Sequence, residues 1–98
     1  MAGFRVSKAA LADIREIGRY TQKQWGRDQR RVYLDGLNER FQLLAKTPAL
    51  AAERQGFDPP VRIHPYQKHL IVYVIDGAEI LIVRVLHQSM DVPAQLSQ

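Results

Sequence analysis

The chain has 98 residues, 46% of them hydrophobic, with fourteen Lys and Arg against ten Asp and Glu, a net charge of +4 and no cysteine. That length holds one domain, 1–98, because a second would have too little surface to bury. The missing thiols exclude a disulfide framework and thiolate catalysis, and no apolar run approaches the ~20 residues that span a bilayer. The opening MAGFRVSK lacks the apolar core of a secretory signal, so the expectation is a bacterial cytoplasmic protein with no membrane partner. Ten of the fourteen cations are Arg, whose planar fork pairs carboxylates and phosphates. An acidic partner is therefore expected, a nucleic acid or a protein rich in Asp and Glu, beside the plainer reading of a soluble basic surface.

Gly3 to Ser7 reads as a short strand with Phe4 and Val6 on one face, stopped by Ser7 as a helix cap. From Lys8 to about Gln24, Ala10, Ile14, Ile17 and Thr21 recur at helical spacing, and Leu11 and Gly18 widen the stripe. Trp25-Gly26 closes this helix, the indole reading as core and the glycine as a left-handed cap. Asp28 is a candidate cap for a second helix to about Lys46, whose stripe is Leu34, Leu37, Phe41 and Leu44; Pro48 ends it. With two or three residues between them, the helices should form an antiparallel hairpin. An irregular segment, Ala49 to Pro60, leads to three strands at 61–64, 68–75 and 78–87. Asp76-Gly77 between the last two is a strong hairpin signal. The order β-α-α-β-β-β predicts an α+β fold, a helical hairpin packed on one face of a small, mostly antiparallel sheet.

A two-residue Asp-Gly loop would pair Ile75 with Ala78, Tyr73 with Ile80, Ile71 with Ile82 and His69 with Arg84. Alternation then puts Leu70, Val72, Val74, Leu81, Val83, Val85 and His87 on one face, and His69, Ile71, Tyr73, Ile75, Ala78, Ile80, Ile82 and Arg84 on the other. The first face is the cleaner apolar set and is expected to meet the helices. The second would then form an exposed apolar strip, the mark of a partner site. Arg84 and His87, three apart in one strand, would point to opposite faces unless a bulge intervenes.

Several segments together resemble a known family. RVLHQSMD at 84–91, preceded by HLIVYVIDGAEILIV, is similar to the ParE toxins of the RelE/ParE superfamily, the toxin halves of bacterial type II toxin–antitoxin pairs. The Arg-Val-Leu-His run closes the last strand, and Tyr66 or His69, Leu70, Val72 and Tyr73 match the preceding one. At the N-terminus, FRVSKAALADIREIGRYTQKQWG carries the pattern of strand, Ser cap, A-x-x-D-I and I-x-x-Y-x-x-x-x-W-G, so the resemblance spans nearly the whole chain. It implies the β-α-α-β-β-β fold, a ParD-like antitoxin partner and inhibition of DNA gyrase; RelE-like relatives instead cut messenger RNA on the ribosome. The sequence departs from many relatives at QSMD, where a Gly or Ala and an Arg commonly precede the Asp.

The binding reading leads, with no catalytic residue, cofactor or metal assigned. His64, His69 and His87 are spaced unlike any zinc motif, and no sequence-specific DNA binding is expected. For the gyrase-binding surface the candidates are Arg84, Gln88, Ser89, Met90 and Asp91, on a short polar tail that Pro93 keeps from extending the strand and that projects from the sheet. For the antitoxin they are Arg62, His69, Ile71, Tyr73, Ile80, Ile82 and Arg84. The alternative is a ribosome-dependent ribonuclease, through His69 and Arg84 across from each other and Tyr73, Lys68 or His87 nearby. A homodimer or a toxin–antitoxin hetero-oligomer would each cover the strip.

Overall fold

The computed structural model describes residues 3–97. Strand β1 (Gly3–Val6) leads into helices α1 (Lys8–Trp25) and α2 (Arg27–Lys46). After a 3-10 turn at Pro48–Leu50 come the two-residue strand β2 (Glu53–Arg54), β3 (Val61–Tyr66), β4 (His69–Asp76) and β5 (Glu79–His87), then a last short helix, α3 (Val92–Leu96). The sheet runs β1-β5-β4-β3-β2, with β1 parallel to β5 and every other pairing antiparallel. This is the expected α+β architecture, with the helical hairpin on one face. The elements absent from the sequence reading are β2 and α3.

Ser7 caps α1 as expected. Its hydroxyl accepts from Ala10 N at 3.0 Å and donates to Val83 O at 2.7 Å, while its own N–H reaches Ile82 O at 3.0 Å. One residue thus ends β1, starts the helix and fixes both to β5. A single residue, Gly26 at φ +93°, separates the helices, a conformation that favours glycine. Asp28 is not the cap of α2, which begins at Arg27 with no side-chain cap; Asp28 lies in its first turn. The stripes are as read but for Leu11, which is exposed: Ala10, Ile17, Gly18 and Thr21 of α1 and Leu37, Phe41 and Leu44 of α2 are buried, with Ile14 and Leu34 packed beside them.

The sheet faces are reversed from expectation. Ile71, Tyr73, Ile80 and Ile82 are 0% exposed and pack with the helices, so they form the main core and not an open strip. Size decides it. Isoleucines and a tyrosine fill the deep space under two helices, and the Tyr73 hydroxyl, which suggested a wet surface, donates to Pro48 O at 2.6 Å and accepts from Ala51 N at 3.4 Å. The opposite face holds a smaller cluster of Val61, Ile63, Val72 and Leu86, flanked by the half-buried Leu70, Val74 and Val83 and covered by Phe57 and by Val92 and Leu96 of α3. The C-terminal tail therefore folds back over this face instead of projecting from it.

Register differs too. The turn is Gly77-Ala78, and Asp76 pairs with Glu79 as the last rung, held by an ion pair with Arg5 of β1. Tyr73 then faces Ile82, and between Val72 and Tyr73 the register shifts, so that Val72 faces Arg84, Ile71 faces Val85 and His69 faces His87. Val83 is the extra residue of a β-bulge. It moves Arg84 off the face of Ile80 and Ile82 and brings Val85 and His87 onto it.

Candidate binding groove

Where β1 stops pairing at Ile82, the edge of β5 beyond it is left without a strand. Asp13 of α1 fills that position. Its Oδ2 accepts the Val85 N–H at 3.0 Å, and its two oxygens take Arg84 Nε at 2.8 Å and Nη2 at 3.0 Å. Arg84 Nη1 also reaches Gln95 O of α3 at 3.4 Å. The cation in the middle of the aliphatic strand therefore clasps α1 and α3 around the sheet edge, and the carboxylate raises its proton affinity further. Its guanidinium is committed, with 21% of the side chain exposed.

Around the other end of the helical hairpin lies a groove of about 1140 Å³. Its walls are the C-terminal turns of α1, the N-terminal turns of α2, the β3–β4 turn and the end of β5. Tyr20, Trp25, Val32 and Met90 line it and are 64%, 72%, 61% and 46% exposed. Trp25, expected in the core, thus stands in the open. It is in phase with the buried stripe of α1 but lies one turn past Thr21, the last buried residue of that helix.

The floor is an aromatic row. Tyr33 of α2 is hydrogen-bonded to His69 Nδ1, with ring centroids 5.6 Å apart, and packs on Tyr66 at 5.2 Å; His69 meets His87 edge-on at 5.4 Å. Gly36 makes this packing possible, since a Cβ there would overlap the Tyr66 hydroxyl, which donates to Tyr33 O at 3.3 Å. Burial, with the neighbouring His87, pulls the His69 pKa down to about 4, so the ring is neutral near pH 7. Burial first, and Tyr66 next, push Tyr33 up to about 12, so it keeps its proton.

The corner after β5 is fixed by short bonds. Gln88 N donates to Lys68 O at 2.8 Å, Met90 N to His87 O at 2.9 Å and Ser89 N to His87 Nδ1 at 3.1 Å, with Ser89 Oγ 2.7 Å from the same nitrogen. Gln88, Ser89, Met90 and Asp91 are all exposed on this pinned loop.

Of the residues singled out in the sequence, the groove brings together His69, Ser89 and Met90, with His87 and Lys68. Arg84 is not among them, being turned to Asp13. Arg62 lies on β3, two strands from β5, where it donates to Ala51 O at 2.6 Å. Ile71, Tyr73, Ile80 and Ile82 are sealed under the helices and offer nothing to a partner while the fold is intact. The pairing of His69 with Arg84 that a ribonuclease reading required does not occur, because the Gly77-Ala78 turn shifts the register by two residues and the bulge by one more, setting His87 opposite His69. The sequence reading missed Tyr20, Val32, Tyr33 and Tyr66 as groove residues. Tyr20 and Val32 carried a signal, since both are large and out of phase with the buried stripes on adjoining helix ends.

Comparison with known proteins adds a second line. A family model described as "ParE toxin of type II toxin-antitoxin system, parDE" matches residues 4–92. Toxin ParE1 of Caulobacter vibrioides is 30% identical, over 98% of this chain and 99% of the relative. Toxin ParE1 of Mycobacterium tuberculosis is 34% identical, over 95% of this chain and 96% of its own length. A solved structure titled "Chromosomal ParDE TA system from P. aeruginosa" has the same fold, with a TM-score of 0.75 at 20% identity over 89% of this chain and 96% of that one.

Proposed function

The chain belongs to the ParE toxin family of type II toxin–antitoxin systems, and we propose that it acts in the bacterial cytoplasm by gripping a target, DNA gyrase, through the groove at the hairpin end. One observation carries this reading. Tyr20, Trp25, Val32 and Met90 stand exposed around a corner whose backbone is already fixed. Aromatic and Met side chains are the anchors that dominate protein interfaces, and a corner pinned in advance lowers the ordering cost of binding. Ser89 and Met90 contact the target from the corner, while Arg84 holds the corner in place by clasping α1 and α3. A ParD-like acidic antitoxin neutralises the protein by covering the same groove, where Lys68 supplies a cation on the rim.

A second reading rests on the contact between His69 and His87, since two imidazoles beside Tyr33 and Lys68 resemble the acid–base set of a ribonuclease. The geometry favours it less. His69 has Nδ1 occupied by Tyr33 and a pKa far below neutrality, and the guanidinium suited to a developing phosphorane is held by Asp13 across β5. Two parallel reactions separate the readings, plasmid supercoiling by purified gyrase and translation of a defined message. Arrest of supercoiling with accumulation of cleaved DNA supports the grip; cuts in the message with gyrase unaffected support the nuclease.

A further inference from the structure

The buried residues of α1, Ala10, Ile17, Gly18 and Thr21, define its inner side. At 3.6 residues per turn, Lys8, Arg15, Arg19 and Lys23 fall within an arc of about 80° centred opposite that side, in a row roughly 22 Å long. All four are exposed, and the other residue on the centre line is Ala12. Among the described residues, Lys8, Arg15 and Lys23 make no ion pair within 4 Å; Arg19 is paired with Glu16 on the flank of the row at 2.6 Å. The other acid of α1, Asp13, is consumed by Arg84 and the Val85 N–H. A fifth cation is brought to the border of the row. Arg30 of α2 lies across Gly18, where a Cβ would come 3.0 Å from its Nε, and donates to Gln22 Oε1 at 2.7 Å.

We propose that this outer face of α1 binds the phosphate backbone of duplex DNA without regard to sequence. A row of like charges on a rigid helix sums to a positive stripe that an extended anion complements. At 3.4 Å rise per nucleotide, about 22 Å covers roughly six phosphates of one strand. The row carries no aromatic side chain on which unpaired bases could stack, which disfavours single strands. A helix fits the wide major groove of B-form DNA and not the deep, narrow one of A-form RNA. With Ala12 as its one apolar centre, the face also lacks the buried core that an acidic protein partner would need. None of the four cations lines the groove, which the row borders at Glu16, and the inference stands whether or not gyrase is the target.

The test uses the full chain and a fluorescein-labelled 20-base-pair duplex of arbitrary sequence, with anisotropy titrations between 50 and 200 mM salt. Binding is expected to weaken with salt at a log–log slope of about −3 to −4, the value for four contacts. Arg15→Glu/Arg19→Glu should weaken binding at least about tenfold at 50 mM salt and flatten the slope by about 2. Arg54→Glu, on exposed β2 away from α1, should change neither. Circular dichroism checks the fold, and Arg15→Gln/Arg19→Gln replaces the double variant if the glutamates unfold the helix. The proposal is overturned by an absence of salt-dependent binding, by equal losses in the Arg54 and α1 variants, by tighter binding of a duplex RNA of the same length, or by polyglutamate competing as well as DNA at equal charge.

Discussion

Gly36→Ala should destabilise the protein, although helix propensity alone says the reverse. Gly36 lies in the interior of α2, where an alanine ordinarily gains about 1 kcal/mol over glycine. Here the new methyl would overlap the Tyr66 hydroxyl and stand 3.1 Å from its Cζ. Tyr66 cannot simply swing away. Its ring is buried and packed on Tyr33, Arg40 lies 5.4 Å from its centroid, and its hydroxyl donates to Tyr33 O. Forcing a methyl into such a site costs about 1–3 kcal/mol in displaced packing, with about 1 kcal/mol more for the hydrogen bond. After the propensity gain, the net loss should be about 1–3 kcal/mol, a Tm lowered by roughly 4–8 °C per kcal/mol in a chain this size. Urea denaturation of wild type, Gly36→Ala, Tyr66→Phe and the double variant reads this out. Removing the hydroxyl should relieve part of the clash, so the double variant should lose about 1 kcal/mol less than the two single losses added. An alanine variant as stable as wild type, or more so, would refute the close packing of α2 on Tyr66 and the aromatic floor built on it.

Asp13→Ala should cost about 2–3 kcal/mol in chemical denaturation, more than Arg84→Ala, because it strands both a half-buried guanidinium and the Val85 N–H; the reverse order would contradict the clasp. The stability of the wild type should fall between pH 6.5 and about 4, where the unfolded chain protonates His69 and the folded chain does not. The full displacement corresponds to roughly 3 kcal/mol, reduced to about 1–2 kcal/mol by water in the groove. His69→Gln should flatten that slope, and identical pH profiles for the two proteins would show that the ring is not held neutral. Trp25→Ser should leave stability within about 0.5 kcal/mol, as for other exposed sites, while weakening antitoxin binding at least about tenfold by calorimetry; a large loss of stability would return the indole to the core.

Much of the architecture was legible because it rests on local pattern. The stripes of α1 and α2, the Ser7 cap and the hairpin between β4 and β5 are each set by residues a few positions apart. The β-bulge was not legible, since Val83 is one more aliphatic residue in an aliphatic run and nothing in it marks a rung as skipped. That single residue decides which face Arg84 and His87 take. Nor could alternation choose the face beneath the helices when both were apolar; the depth of the space under α1 and α2 chose the isoleucines and Tyr73. The five-residue α3 escaped notice because Val92 and Leu96 have no periodicity to show over so short a span. Of the site, the exposed corner at Gln88 to Asp91 was read correctly as surface, whereas the aromatic floor depends on Tyr33 and Tyr66 meeting across 33 residues of chain.

The central claim, that the protein grips gyrase through the groove, is tested most directly by titrating wild type and Met90→Glu into the same plasmid supercoiling reaction. Met90 is 46% exposed at the mouth of the groove, so a glutamate there leaves the fold intact and places a charge where an apolar anchor should dock. The account predicts that wild type arrests supercoiling and traps cleaved plasmid, and that the variant needs at least about ten times more protein to do so. Equal inhibition by both proteins would contradict the groove, and uninhibited gyrase at saturating wild type would contradict the target.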